Sequence, residues 1–359
     1  MSATRGPLTG VRIVELASIG PGPHAGMMLA DLGADVVRVQ RAGIDRTVPP
    51  AQLRGRRTVE ANLKDPADVA AVLELVDRAD VLIEGFRPGV AERLGLGPEQ
   101  TRARNPRLIY GRVTGWGQDG PRAAQAGHDI NYIGITGALN GIGRKGERPV
   151  PPINLLGDYG GGSVFLVLGV LAALYERERS GEGQVIDAAM TDGVLTLAHS
   201  IWVAHQAGAW SDERGTNLLD TGRAWYDTYR TADGKFMAVG AFEPQFYAEL
   251  LRVLELDPES LPHQMDPAGQ DILRKVFTER FAARTQDEWC ALFDGVDACV
   301  TPIRSFTDAA TDEHLTARGA LIELDGVRQP APAPRFSRTV LPAPAPAPTS
   351  ATPIGAIWV

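Results

Sequence analysis

Hydrophobic positions in the first half of the chain alternate between strand-like and helix-like spacing. Residues 11–16 alternate as a strand does, residues 24–32 carry apolar side chains at helical spacing, and residues 35–39 are apolar again. The same patterns predict strands at 81–84, 108–110 and 185–187, a helix beginning at Asp65-Pro66 and a buried helix at 164–175. This alternation predicts a large doubly wound, Rossmann-like α/β domain over residues 1–187.

The second half of the chain has a different pattern. Residues 224–230 and 235–241 flank Asp233-Gly234, a strong hairpin signal, and a helix is expected from Glu243-Pro244 to Leu254. We therefore predict a small α+β domain over 222–300. A linker is expected at 188–221, with a long helix from Ala188 to Gln206 and a polar connection after it. A return linker is expected at 301–320, with a helix from Thr307 to Arg318.

Repeated proline marks the C-terminal part of the sequence. From Arg328 onward, Pro-Ala repeats favour extended polyproline structure and exclude a packed helix. We expect the segment from about 320 to 359 to complete the large domain.

Bulk charge and composition restrict the class of partner. The net charge of −8 and the lack of a Lys/Arg block argue against nucleic acid. Met1–Gly10 has no signal pattern, and the longest apolar run, residues 164–175, is too short to span a bilayer, so no membrane partner is expected. Cys290 and Cys299 lack the partners of a zinc set or a disulfide framework, so we expect no metal and a cytoplasmic location.

The best proton-transfer groups lie between Gly127 and Gly162. His128 and Asp158 each stand where a loop enters an apolar helical run, so that backbone amides are available to anionic atoms nearby. The glycines at 160–162 open a helix at a conformational cost, which suits close approach of a ligand or another backbone. A structural histidine and a simple N-cap aspartate are the alternatives, and the sequence leaves both open.

Arginines and glycines follow the predicted strands. Arg38 and Arg41 end the second strand, where parallel sheets commonly bind ligands. Arg87 and Arg93 suit phosphates, but they also suit ion pairs with Glu84 and Glu92, and their spacing does not decide between the two. Glu243, at the start of a helix, fits either the helix dipole or a site.

Motifs of several enzyme classes are missing. The loop at Gly20 and Gly22 is interrupted by prolines and its third glycine is displaced to Gly26, which argues against a dinucleotide fingerprint. The sequence also lacks a Gly-x-Ser-x-Gly elbow, a phosphate-binding P-loop and a His-Glu-x-x-His motif. An imidazole, two aspartates and a glutamate suit acid–base chemistry, and the arginines and glycines could receive a phosphorylated carrier.

Several ordered motifs resemble the family III CoA-transferase superfamily. They are Gly10-x-Arg12-Ile13-Val14-Glu15-Leu16, the run Asp31-Leu32-Gly33-Ala34-Asp35-Val36-Val37-Arg38-Val39, the segment from Glu84 to Leu94, Gly127-His128-Asp129, and Gly157-Asp158 with its glycines. Transferases of this family carry an aromatic residue before the acylated aspartate, and this chain has His128 there. They also carry a glycine-rich loop in the small domain, where this chain offers Glu243. Both departures favour the racemase branch of the family.

The resemblance implies specific roles. His128, assisted by Glu243, and Asp158 would be bases on opposite faces of a 2-methylacyl-CoA thioester, with amides around Asp129 stabilising the enolate oxygen. The residues that the resemblance implies in contact with substrate and CoA are Arg38, Gly85, Phe86, Arg87, Arg93, Leu94 and Tyr132. The resemblance further implies no cofactor, a part in fatty acid metabolism and an intertwined homodimer, in which Glu243 acts within its own subunit or across to the other.

A second interpretation of the same motifs is a CoA-transferase that moves CoA between carboxylic acids. In that reaction Asp129 attacks the thioester to form a mixed anhydride. A third is an acyl-CoA binding protein without catalysis. The preferred acyl chain is not readable from the sequence.

Overall fold

The computed structural model of the protein describes residues 6–43 and 48–359. The chain divides into a larger unit, Met1–Thr136, Pro152–His199 and Arg318–Val359, and a smaller unit, Gly137–Pro151 and Ser200–Ala317. The smaller unit thus takes residues 137–151, which lie inside the predicted 1–187 domain, and most of the predicted linkers. The expectation that Met1–Gly10 is not a signal sequence concerns residues 1–5 in part, and these lie outside the described residues.

A six-stranded sheet forms the centre of the larger unit. Its spatial order is β3-β2-β1-β4-β5-β6, and all neighbouring pairs are parallel. The strands are β1 (Arg12–Leu16), β2 (Asp35–Gln40), β3 (Arg56–Glu60), β4 (Val81–Glu84), β5 (Ile109–Thr114) and β6 (Val185–Ala189). The order reverses between β1 and β4, which is the switch point where open parallel sheets bind ligands.

Both faces of this sheet are buried because successive side chains of each strand point to opposite sides. Ile13 packs in one apolar cluster and its neighbour Val14 in another. Val36 and Val37 on β2 divide in the same way. This explains why the strands are almost continuously apolar in sequence.

Helices follow the strands of the larger unit. They are α1 (Pro21–Asp31), α2 (Pro66–Val76), α3 (Val90–Arg93), α4 (Pro98–Arg104), α5 (Asp129–Ile135), α6 (Phe165–Ser180), α7 (Met190–Leu197) and α8 (His199–Gln206), the last assigned to the smaller unit from Ser200 onward. Prolines begin α1, α2 and α4, as expected at a first helical turn, where a backbone N–H has no partner within the helix.

A π-helical segment, Leu155–Val164, leads directly into α6. Together they make a helix, Leu155–Ser180, that is long and apolar enough by length and composition to cross a membrane, so the helix is longer than the apolar run predicted at 164–175. One such helix is weak evidence for a membrane span. Here Leu166, Val167 and Val170 are buried in the same apolar cluster as Ile13, so packing explains the apolar residues on that face of the helix.

The smaller unit contains an antiparallel sheet in the order β7-β8-β9. Its elements are β7 (Tyr226–Arg230), β8 (Phe236–Gly240), α9 (Pro244–Val253), α10 (Gln270–Phe281), α11 (Gln286–Phe293), β9 (Val300–Ile303), α12 (Phe306–Ala309) and α13 (Glu313–Ala317). Trp225, Phe277 and Phe281 are fully buried at its centre. The hairpin over Asp233-Gly234 is present, with Gly234 in the left-handed region at φ 80°.

The structure differs from the predictions at several elements, of which three are informative. Strand β3 was not predicted, because its sequence Arg-Arg-Thr-Val-Glu is highly charged. The helix predicted over 188–206 is divided, since β6 continues to Ala189 and α7 ends before Ala198. The helical stretch expected from Thr307 to Arg318 consists of two short helices, α12 and α13.

The C-terminal segment covers the edge of the large sheet. After a hairpin of β10 (Leu321–Leu324) and β11 (Val327–Pro330), the Thr352 amide donates to the carbonyl of Thr58 on the edge strand β3 at 2.7 Å. The Gly55 amide likewise donates to the Ala345 carbonyl at 2.8 Å. The unpaired backbone groups of an exposed edge strand can pair with other chains, and this segment covers part of that edge.

Candidate active site

The switch point of the larger unit brings two loops into close contact. The loop after β1 contains Ser18 and Gly20, and the loop after β4 begins at Gly85. A Cβ atom on Gly85 would lie 3.1 Å from Ser18 Cβ and from its Oγ, so there is little room for a side chain at this position. Gly85 thus faces Ser18.

His128 precedes α5 as its N-cap and is exposed. Its backbone N–H donates to Asn131 Oδ1 at 3.0 Å. The amide N–H groups of Asp129 and Ile130, which open the helix, have no acceptor among the described residues. The imidazole is therefore open to solvent beside two unsatisfied amide donors.

Tyr132 supports this loop from beneath. Its ring is 8% exposed and occupies the space that side chains at Gly115 and Gly127 would need. Its hydroxyl donates to the Gly127 carbonyl, and its ring packs edge-on against Trp116 with the ring centroids 4.8 Å apart. Tyr132 therefore holds the loop that carries His128, and its expected contact with substrate stays a prediction.

Asp129, the first residue of α5, contacts the π-helical segment that contains Asp158. Its carboxylate is buried, and its Oδ2 accepts the amide N–H groups of Gly157 and Asp158, both at 2.7 Å. Its Oδ1 is also buried and has no hydrogen-bond partner among the described residues. Asp129 thereby fixes the position of Asp158 relative to His128.

Asp158 lies half-buried in the first turn of the π-helical segment. Its Oδ2 accepts from Asn154 Nδ2 at 3.1 Å, and a Cβ on Gly20 would lie 3.4 Å from the same oxygen. Burial and the negative charge of Asp129 raise the pKa of Asp158, whereas Asn154 and the nearby His128 imidazole oppose that rise. His128 and Asp158 are therefore close enough to interact electrostatically.

The glycines after Asp158 serve packing between helices. A Cβ on Gly161 would lie 2.7 Å from the Met190 carbonyl oxygen, and one on Gly193 would lie 2.1 Å from the Gly161 carbonyl oxygen. Of the two reasons expected for these glycines, a ligand or another backbone, the structure shows the backbone of α7.

The predicted carrier groove contains a cavity of about 540 Å³ at the carboxyl ends of β2 and β3. Phe86 and Leu94, both expected to bind CoA, line it. Arg41, Asn62 and Lys64 also line it. Arg41 was expected at a ligand-binding strand end, whereas Asn62 and Lys64 were missed because they follow the unrecognised strand β3. Two cationic side chains beside an aromatic ring suit a phosphorylated heterocycle.

Arg87 and Arg93 are exposed and have no ion pair within the described residues. Arg87 is close enough to Tyr132 to lower its pKa, against the larger effect of burial, which raises the pKa. The alternative partners, Glu84 and Glu92, bind Arg112 instead, each at 2.8 Å. Both arginines therefore remain available to phosphates.

Arg38 does not contact solvent. Its side chain is 0% exposed and its Nη1 lies 2.5 Å from Glu15 Oε1, while Arg56 Nε binds the other Glu15 oxygen at 2.9 Å. The structure therefore gives Arg38 a buried ion pair, and its expected place in the CoA groove stays a prediction. A buried guanidinium needs a carboxylate partner, and Glu15 supplies it on the adjacent strand β1.

Glu243 belongs to the smaller unit, where it is the exposed N-cap residue of α9. Its proposed contact with His128 stays a prediction. Among the described residues, no three His, Cys, Asp or Glu side chains are grouped so that they could hold a metal ion.

Comparison with known proteins identifies the family. The sequence profile of CoA-transferase family III matches residues 8–354. The chain belongs to this family. It is 50% identical to the alpha-methylacyl-CoA racemase of Mus musculus over 334 residues, which cover 92% of this chain and 87% of the mouse protein. The Homo sapiens alpha-methylacyl-CoA racemase is 47% identical over 328 residues, covering 90% of this chain and 86% of that protein.

A solved structure of the same family shares the fold. The crystal structure of a CAIB/BAIF family protein from Brucella suis superposes with a TM-score of 0.83 at 28% identity, covering 96% of each chain. The overall fold of this chain is therefore shared with that protein.

Proposed function

We propose that this protein is a racemase that interconverts (2R)- and (2S)-2-methylacyl-CoA thioesters without a cofactor. The observation that carries the proposal is that Asp129 connects two potential bases, the exposed His128 and the half-buried Asp158 with its raised pKa. Identity near 50% to two alpha-methylacyl-CoA racemases supports it.

The reaction removes and returns the proton next to a thioester carbonyl. Sulfur conjugates weakly with the carbonyl, so the enolate of a thioester is more accessible than that of an ester or a carboxylate. One base takes the proton from one face and the other base supplies a proton to the opposite face. A raised pKa suits Asp158 for this exchange because the carboxyl must both accept and release a proton near neutral pH.

The developing enolate oxygen needs hydrogen-bond donors. We assign this role to the amides of Asp129 and Ile130, which are unsatisfied within the described residues. Loss of one such donor typically costs about 2.7–4 kcal/mol of transition-state stabilisation. Glu243 would hold the imidazole of His128 and stabilise its cation.

The carrier would lie along the loop after β4. The cavity lined by Phe86, Leu94, Arg41 and Lys64 suits the nucleotide end of CoA, and the exposed Arg87 and Arg93 suit its phosphates. We further propose that the protein is an interlocked homodimer acting in fatty acid metabolism in the cytoplasm.

A single-epimer incubation in deuterated water tests this function. The racemase should incorporate deuterium at the α carbon and form the opposite epimer, with no carboxylic acid added. If the protein binds the thioester but returns the same epimer with its α proton unexchanged, the proposal is refuted. Release of an exchanged product without inversion would refute the two-base arrangement.

The alternative is a CoA-transferase with Asp129 as nucleophile, which the family membership supports. It requires Oδ1 or Oδ2 of Asp129 to attack the thioester, but the carboxylate is 6% exposed and Oδ2 already accepts two amides. A transferase should exchange CoA only when an acceptor acid is present, and hydroxylamine should trap Asp129 as its hydroxamate. Racemase activity with no trapped Asp129 would exclude it.

A further inference from the structure

His24 on α1 contacts the π-helical segment that carries Asp158. Its Nδ1 lies 2.8 Å from Ser163 Oγ, and its ring packs on Tyr159 with the ring centroids 4.4 Å apart. None of the chemistry assigned above uses His24, and its ring is half-buried.

The direction of these hydrogen bonds can be derived from the groups involved. Ser163 Oγ donates to the Tyr159 carbonyl oxygen at 3.0 Å, and a carbonyl can only accept. A hydroxyl has one proton, so His24 Nδ1 must donate to Ser163. Burial, with Arg56 and Arg54 nearby, lowers the pKa of His24, so that the neutral Nδ1–H form supplies this bond.

Helix α1 supports the segment at two successive turns. Gly20, just before α1, lies against the Asp158 carboxylate, and His24, one turn later, reaches Ser163. Asp158 and Ser163 are themselves about one π-helical turn apart. Between them, the glycines at 160–162 offer no side chains to hold the turn.

Tyr159 is fixed from a second side. Its hydroxyl accepts from Gln52 Nε2 at 3.1 Å, on the far side of the ring from its backbone carbonyl. The residue directly after Asp158 is thus held at its carbonyl, its ring and its hydroxyl.

We propose that His24 is a positioning residue for Asp158, acting through the Nδ1–H to Ser163 to Tyr159 carbonyl chain of hydrogen bonds. This inference rests on the proposed racemase function. It assigns no proton transfer to His24. The position of the Asp158 carboxylate depends on His24, whereas the position of the His128 imidazole does not.

The test compares deuterium uptake from the two epimers of a 2-methylacyl-CoA in the same preparation. The Asp158→Asn variant first identifies which epimer loses its proton to Asp158. In His24→Phe, which keeps a ring against Tyr159 but removes the donor, uptake from that epimer should fall about ten- to a hundredfold relative to the other epimer, because a small displacement of a base is that costly. The ratio is internal to each preparation, so a reduced folded fraction does not affect it.

Companion variants sharpen the comparison. Ser163→Ala should change the ratio as His24→Phe does, and the double variant should add nothing, because both remove one chain of bonds. His24→Asn, whose Nδ2 replaces the Nδ1 donor, should restore most of the ratio. His314→Phe, at an exposed position on α13, is the matched control and should leave it unchanged.

Two results separate failure of the inference from failure of the function. Equal loss for both epimers, or an unchanged ratio in both His24→Phe and Ser163→Ala, would overturn the role of His24. If His24→Phe does not fold, the ratio of uptake from the two epimers in Ser163→Ala decides whether His24 has this role. Absence of uptake from either epimer in the unaltered protein would refute the proposed function itself.

Discussion

At the scale of single residues, Asp129 separates the two candidate chemistries. An asparagine at this position can still accept the amides of Gly157 and Asp158 through its carbonyl oxygen, but it carries no charge and is a poor nucleophile. For a racemase, Asp129→Asn should retain deuterium exchange within about tenfold, equivalent to about 1.4 kcal/mol. For a transferase, it should abolish turnover.

The same substitution should move the pH profile. The Asp129 charge is one cause of the raised pKa of Asp158, so its removal lowers that pKa. Exchange that uses Asp158 as base requires the ionised carboxylate, and the rising limb of the profile should therefore shift to lower pH. A shift to higher pH would contradict the electrostatic account.

Residue identities were predictable from sequence only where local context carried the signal. His128 and Asp158 stand before apolar helical runs, and the structure places both at one site with Asp129 and Tyr132. The burial of Arg38 was not predictable, because its partner Glu15 lies on another strand and the pairing depends on register. The role of Arg112 was missed for the same reason, since its partners Glu84 and Glu92 lie on other elements.

At the scale of elements, Arg112 on β5 organises the loop that contains the carrier-binding residues. It binds Glu84 at the end of β4 and Glu92 on α3, while Glu84 Oε2 also accepts the Phe86 amide at 2.6 Å. Arg112→Leu leaves the buried Glu84 without its cation and should lower the free energy of unfolding by about 3–5 kcal/mol, measured by urea denaturation.

Glu92→Gln is the matched control for this loop. The Glu92 side chain is 38% exposed, so loss of its ion pair should cost less than about 1 kcal/mol. Equal destabilisation by both variants would show that burial of Glu84 does not set the stability of the loop.

The C-terminal segment is a second element whose contribution can be measured. Ile357 is 1% exposed and packs in the apolar cluster that contains Val72 of α2. Ile357→Ala should lower the free energy of unfolding by about 2–4 kcal/mol. Val359→Ala, at a position that is 98% exposed, should change it by less than about 0.5 kcal/mol. Similar values for the two would mean that the segment is not part of the folded unit in solution.

Element types were more predictable than element boundaries. The strongly apolar strands and the hairpin over Asp233-Gly234 were found from pattern alone. Strand β3 was missed because Arg56 is buried by an ion pair with Glu15 rather than by being apolar. The break between α7 and α8 has no proline or glycine at Ala198 to mark it.

At the scale of the whole molecule, apolar exposure along α6 supports the proposed homodimer. Leu168 and Tyr175 on α6, and Val164 just before it, are 58%, 70% and 44% exposed, and together they form an apolar patch of the kind that marks an interface. Sedimentation equilibrium should give a mass of twice 38.4 kDa. Leu168→Asp should weaken the association, whereas Val340→Asp, at an exposed position on the C-terminal segment, should not. A mass of one chain would contradict the dimer.

The ordered motifs indicated the family and the change of hydrophobic pattern indicated two units, but the assignment of residues 137–151 to the smaller unit was not predicted. That segment is held there by Arg144, which binds Asp227 at 2.8 Å, a pairing between positions far apart in sequence. Only the folded chain reveals such a contact.

The central claim is that His128 and Asp158 act on opposite faces of one α carbon. The most direct measurement is deuterium uptake from each pure epimer by His128→Asn and by Asp158→Asn. The account predicts that each variant loses uptake from one epimer while retaining it from the other, and that the two variants fail on opposite epimers. Loss from the same epimer in both variants, or undiminished uptake in either, would contradict it.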